Sequence, residues 1–103
     1  MIKSELIASI AAKMTHLPEV KVTDSINRIL ELMSDSLTQG QRIEIRGFGS
    51  FTLHFRAPRN AHNPKTGARV VTLAKYSPHF KPGKDLRDRI NASREQHPIR
   101  DGA

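Results

Sequence analysis

At Gln41 the spacing of apolar residues in this 103-residue chain changes from a helical period to strict alternation, and that change limits what the chain can become. Before it, Leu6, Ile7, Ile10, Ala11 and Met14 form one helical stripe, and Val22, Ile26, Ile29, Leu30, Met33 and Leu37 form a second. His16-Leu17-Pro18 separates the two, because a proline disfavours helical geometry in the residue before it. Pro18 suits the first turn of the second helix, where its missing N–H is no loss, and Gly40 ends that helix. Ser4 is a candidate cap for the first helix, although Glu5 close behind it suits a helix already begun near residue 3. Two amphipathic helices with a tight connection predict a helical hairpin.

After Gln41 the chain reads as strands. Arg42-Ile-Glu-Ile-Arg46 turns Ile43 and Ile45 one way and Arg42, Glu44 and Arg46 the other. Gly47-Phe48-Gly49 is a joint whose two glycines can take backbone angles closed to other residues. Ser50 to Arg56 is the next strand, a returning strand covers about Arg69–Leu73, and Lys75–Phe80 is a second short extended piece. Pro82-Gly83 opens a final short helix from Lys84 to about Asn91, with Leu86 and Ile90 on its apolar side. Residues 92–103 carry Pro, Gly and charge without a period, and are expected to be a disordered tail. The class is α+β, with one domain over residues 1–91.

Charge is placed as unevenly as structure. The net charge is +7, yet residues 1–40 hold four Lys/Arg against five Asp/Glu, while residues 41–103 hold thirteen against five. Between Glu44 and Asp85 there is no acidic residue and there are eight Lys/Arg. In the middle lies Arg56-Ala-Pro-Arg-Asn-Ala-His-Asn-Pro-Lys-Thr-Gly-Ala-Arg69, flanked by Phe51, Leu53 and Phe55 before it and by Val71 and Leu73 after it. Alternation on both sides of a basic, turn-rich centre predicts a β-ribbon arm, about 56–73, that leaves a body to grip a polyanion. Asn63-Pro64-Lys65-Thr66-Gly67 has turn chemistry throughout. Its exposed proline is either an ordinary surface turn former or an apolar wedge for a base step. Arg42, Glu44 and Arg46 are either a solvated strand face or a carboxylate that orients an arginine for a narrow minor groove.

Other chemistry finds no support. The absence of Cys removes disulfides and thiolates and fits a reducing cytosol. No basic start with an apolar run suggests a signal peptide, and no apolar stretch approaches the ~18 residues of a membrane helix. His16, His54, His62, His79 and His97 lack metal-ligand spacing. Asp85 and Asp88 among Lys84, Arg87 and Arg89 read as helix salt bridging, and Lys65-Thr66 lacks the glycine-rich loop of a nucleotide site. Neither an enzyme nor a cofactor is expected. Without arm and tail, roughly seventy residues are left, which is small for a lone monomer.

The order helix–helix–strand–strand–basic arm–short helix, with Arg46-Gly-Phe-Gly-Ser-Phe51, Arg56-Ala-Pro-Arg59, Asn63-Pro-Lys-Thr-Gly67 and Pro78-His-Phe-Lys-Pro-Gly83, resembles the bacterial HU/integration host factor family over about residues 2–91. Arg42-Ile-Glu-Ile-Arg46 and Tyr76-Ser-Pro-His-Phe-Lys-Pro-Gly-Lys84 resemble its beta-type integration host factor branch rather than the alpha-type branch or HU. The resemblance implies an intertwined two-subunit body, with an arm from each subunit wrapping double-stranded DNA from the minor groove and bending it sharply. This family is itself a standing example of that mechanism. The implied partner is an alpha-type chain in a heterodimer, or a copy of itself in an HU-like homodimer with little sequence preference. The implied setting is the cytoplasmic nucleoid, in recombination, transcription and translation regulation, and chromosome condensation.

Residue by residue, the resemblance makes Pro64 the intercalating wedge and Arg46, held by Glu44, the minor-groove reader with Arg42 beside it. It lines the arm with Arg56, Arg59, Asn63, Lys65 and Arg69, and puts Lys3, Ser4, Lys75, Lys81 and Lys84 on phosphates along the body. Family arms usually carry Gly-Arg before Asn-Pro, whereas this chain has Ala61-His62. A permanent cation is thus replaced by a side chain whose charge depends on pH. A basic RNA-binding or ribosomal protein is the rival of another class. It would need stacking aromatics on an exposed face, whereas the four Phe and Tyr76 fall mostly at inward or joint positions.

Overall fold

The computed structural model describes residues 1–100. Helix α1 runs Lys3–Lys13 and α2 runs Glu19–Thr38. They are followed by strands β1 (Ile43–Ile45), β2 (Gly49–Arg56), β3 (Arg59–His62), β4 (Arg69–Thr72) and β5 (Lys75–Pro82), and by helix α3 (Lys84–Ala92). The expected α+β order is the one observed. α1 begins at Lys3, as Glu5 suggested, with Ile2 ahead of it, so Ser4 lies inside the helix and is not its cap. The start of α2 differs from expectation: Pro18 is extended (ψ 144°) just ahead of the helix rather than in its first turn.

The stop after α2 follows from Gly40. Its φ of +80° lets the chain turn back, so that Gly40 N–H donates to the Leu37 carbonyl at 3.0 Å and Gln41 N–H to the Ser36 carbonyl at 2.9 Å. This satisfies carbonyls a helix end would otherwise leave open. The chain then enters a three-stranded antiparallel sheet of order β1-β2-β5. The β1 strand is shorter than expected at both ends. Phe48 N–H donates to the Ile45 carbonyl at 3.0 Å and Gly47 has φ +80°, which makes 45–48 a tight turn with Arg46 at its corner. Of the two joint glycines only Gly47 uses a left-handed angle. Gly49 is needed for space, because a Cβ there would stand 2.5 Å from the Lys81 carbonyl oxygen and 2.8 Å from the Phe80 ring.

β5 is no short piece. It pairs with β2 along its whole length, from Gly49 opposite Pro82 to Arg56 opposite Lys75. Pro78 inside it is tolerated because β5 is an edge strand, where a missing N–H need break no ladder bond. Phe80 gathers the joint, with ring centroids 4.9 Å from Phe51 and 5.3 Å from Phe48.

Among the described residues Val22 and Ile26 are the only buried apolar side chains. Ile29 and Leu32 of α2 stay 56% and 52% exposed, although both belong to a helix rich in apolar residues. The radius of gyration is 19.0 Å, against roughly 13 Å for a compact chain of this length. One copy therefore makes an extended body with most of its apolar surface uncovered.

Candidate nucleic-acid interface

The arm is a second antiparallel pair, β3 with β4, from Arg59 opposite Thr72 to His62 opposite Arg69. Ala57-Pro58 and Leu73-Ala74 interrupt the ladder between the two sheets. The interruption takes equal lengths of chain from both strands: three steps outward from the Arg56–Lys75 pair reach the Arg59–Thr72 pair. The arm therefore continues the β2–β5 hairpin in the same register.

Alternation along this ribbon sorts its side chains. Directly opposed residues share a face, so Phe51, Phe80, Leu53, Pro78, Phe55 and Tyr76 lie on one side of the β2–β5 sheet. The other side carries Ser50 with Lys81, Thr52 with His79, His54 with Ser77, and Arg56 with Lys75. His54 and His79 stack diagonally there, centroids 4.5 Å apart and planes within 22°. The unchanged register carries the same side out to His62 opposite Arg69. Like charges directly opposite each other destabilise a sheet, and here no acidic residue intervenes to offset them. A polyanion lying along this face would offset that repulsion by its attraction to both cations.

At the tip, Asn63 N–H donates to the Ala68 carbonyl at 2.8 Å and Gly67 N–H to the Asn63 carbonyl at 2.7 Å. Lys65 N–H donates to Asn63 Oδ1 at 2.9 Å, and Ala68 N–H to Thr66 Oγ1 at 3.2 Å. Gly67 has φ +68° with open space around it, so conformation alone demands glycine here. Pro64 stands exposed at the apex.

A second cationic surface forms where the joint meets α3. Arg46, Lys81 and Lys84 line an open cleft of about 590 Å³ with Glu44 and Arg87. Gly83 N–H donates to the Phe48 carbonyl at 2.8 Å, which ties the start of α3 to the joint. Glu44 Oε2 lies 3.5 Å from Arg42 Nη2 in an exposed pair, so Glu44 pairs with Arg42 rather than with Arg46, which is exposed at the turn corner. Arg56, Arg59 and Lys75 line another opening, of about 460 Å³, at the base of the arm. Lys3 and Ser4 are exposed in the first turn of α1 and line neither opening.

The structure adds residues that the sequence pattern does not single out. Arg87 reads in sequence as a helix salt-bridge partner; its Nε does lie 3.8 Å from the adjacent Asp88, but the side chain also lines the cleft. His54 and His79 share the cationic face, which the parity of His54 with Arg56 could have indicated. The aromatic residues divide. Phe48, Phe51 and Phe80 cluster at the joint as expected, whereas Phe55 and Tyr76 are 64% and 72% exposed. Those two pair edge to face at 6.1 Å on the side of the β2–β5 sheet opposite Arg56 and Lys75, a side that alternation also gives to Arg59, and Phe55 lines the same opening as Arg56, Arg59 and Lys75.

The model of the family described as bacterial DNA-binding protein matches residues 1–91. The chain belongs to that family. It is 58% identical over 100 residues to integration host factor subunit beta of Halorhodospira halophila, covering 97% of this chain and 98% of the relative. It is 61% identical over 93 residues to the subunit beta of Colwellia psychrerythraea, covering 90% of this chain and 98% of the relative. Among solved structures it is similar to HU of Anabaena in a cocrystal with DNA, with TM-score 0.78, 29% identity, and coverage of 87% of this chain and 97% of that one. HU from Thermotoga maritima is similar with TM-score 0.58 and 29% identity, over 87% of this chain and 98% of that one. The beta-type integration host factor character implied by the strand and joint motifs is thus borne out by relatives that match nearly end to end. Among the described residues no helix is long and apolar enough to cross a membrane.

Proposed function

We propose that this chain is an architectural DNA-binding protein that works as the beta-type half of an integration host factor dimer, with an alpha-type chain as its partner. The observation that carries this reading is the cationic side of one continuous ribbon, from Lys81 through Arg56 and Lys75 to His62 and Arg69, ending at an exposed proline. Phosphate neutralisation along that side supplies most of the affinity, with a steep dependence on salt. Site preference arises from groove width and deformability, with Arg46 at its turn corner entering the minor groove. Lys3, Ser4, Lys81 and Lys84 hold phosphates along the body, and Pro64 inserts at the kink. The exposed face of α2 is covered by the partner subunit, within one domain spanning residues 1–91. A protein of this kind acts in the nucleoid, where bending brings distant recombination and promoter sites together.

The test is a band-shift comparison at fixed salt of the chain alone and the chain with an alpha-type partner, on one specific and one random duplex. Tight, selective binding is expected only from the mixture. Equal binding by the chain alone, without selectivity, would identify an HU-like homodimer. Arg46→Ala should lower the ratio of specific to random affinity more than it lowers random affinity. An unchanged ratio would remove Arg46 as a reader.

A further inference from the structure

We propose that Asn63 is the positioning residue of the arm: it holds the proline apex in its inserting orientation before DNA arrives, and does so by bonding its own turn. The inference rests on the reading of Pro64 as a wedge. Every residue of the tip from His62 to Arg69 is exposed, so no packing from the body fixes how the ring is presented. What remains is local bonding. Four hydrogen bonds close the tip, and three of them converge on Asn63 through its N–H, its carbonyl and its side-chain Oδ1.

Each of the three restrains a different torsion. The bond from Asn63 N–H to Ala68 sets where the ribbon ends. The bond from Gly67 N–H to the Asn63 carbonyl closes a single helical-type turn around Pro64, Lys65 and Thr66. The bond from Lys65 N–H to Asn63 Oδ1 spans the proline itself, and an Asn side chain that accepts from the residue two places on mimics a backbone turn. Proline already fixes its own φ. With the peptides before and after it held by Asn63, little freedom is left about which way the ring faces. Oδ1 thereby has one of its lone pairs engaged in the turn, while the two amide N–H donors of Asn63 take no part in it. Thr66 supports the same turn from the far side through Ala68 N–H.

Preorganisation of this kind changes what the wedge achieves more than how strongly the arm is attracted. Ordering a mobile apex during insertion would cost conformational entropy at that step, and the locked turn has lost it beforehand. The experiment measures end-to-end distance by energy transfer across a duplex saturated with the chain and an alpha-type partner, so that affinity losses do not enter. Four proteins are compared: wild type, Pro64→Ala, Asn63→Ala and Asn63→Asp. Asn63→Ala removes the Oδ1 acceptor and leaves the charge unchanged. Asn63→Asp keeps an acceptor at that place, removes the amide donors, and adds a charge that weakens binding.

On the saturated duplex Asn63→Ala should lose most of the distance change, and Asn63→Asp should recover the bend despite weaker binding. If Asn63→Ala bends DNA as wild type does while Pro64→Ala does not, the positioning role is overturned and the wedge stands. If both Asn63 variants lose the bend equally, Asn63 acts through its amide on DNA and the positioning role is again overturned. If Pro64→Ala itself bends as sharply as wild type, the wedge reading fails and this inference fails with it.

Discussion

In the helical body, position is set by apolar contact that one chain leaves half made; in the arm, it is set by local hydrogen bonds that one chain completes alone. Val22 and Ile26 are buried while Ile29 and Leu32 beside them stay open. At the far end, four hydrogen bonds close a turn with no apolar support. Apolar burial is not directional and accepts a second chain as readily as more of the first. Hydrogen-bonded turns are directional and local. The comparison teaches that the arm can be shaped within one subunit, while the body that carries it leaves its apolar face to a second chain.

The first way to break that comparison is dilution. The chain without a partner should lose its fold as concentration falls, and its melting temperature should rise with protein concentration, as mass action requires of an obligate assembly. A cooperative melt that is independent of concentration would make the body complete in one chain. Next in size is a pair of matched substitutions. Gly49→Ala forces a methyl against the Lys81 carbonyl and the Phe80 ring, and should cost about 2–3 kcal/mol of global stability by overpacking. Gly67→Ala strains the tip by about 1–2 kcal/mol through its positive φ, yet should leave the melt of the body unchanged and reduce bending. Equal shifts in the melt would join the two regions that the comparison separates.

A smaller effect sharpens the account of the cationic face. Arg56→Ala and Lys75→Ala each relieve a directly opposed pair of like charges. Each should leave stability unchanged or raise it by about 0.2–1 kcal/mol. Each should also weaken DNA binding and lower the log–log salt slope by roughly 0.9 for each phosphate no longer neutralised. A variant that reduced stability and affinity together would make the pair structural. The smallest effect is that of His62. His62→Arg puts a permanent cation opposite Arg69 on this face, and should bind DNA at least as well as wild type at pH 8. Unchanged affinity and an unchanged salt slope in that variant would place His62 away from the DNA.

Much of this architecture was legible because the hydrophobic period reports local geometry. The two helical stripes, the switch at Gln41, the turn at Asn63–Gly67 and the short helix after Gly83 all follow from residues near one another in sequence. What was not legible depended on register. The full-length pairing of β2 with β5 was hidden by Pro78, which reads as an interruption until an edge position excuses it. The cationic side could be assembled only once Arg56 was known to face Lys75, and His62 to face Arg69. Gly49 reads as a flexible joint, although a close approach of Phe80 and Lys81 is what requires it. Arg46 reads as the end of a strand and proves to be the corner of a turn, because the bond from Phe48 to Ile45 closes one residue earlier than alternation alone suggests.

The unbroken register across Ala57-Pro58 and Leu73-Ala74 makes the arm a ruler. Missing ladder bonds at the interruption let the arm change its angle, but equal strand lengths forbid it to slip, so its reach stays constant. From Arg56 to Pro64 that reach is roughly 26 Å at the rise of an extended strand, which is about eight base-pair steps along a duplex. On the proposed reading of Pro64 as the wedge, the place of the kink relative to the body is therefore set by chain length and not by any contact with bases. Adding two residues to each strand in register would move it outward by roughly two base pairs.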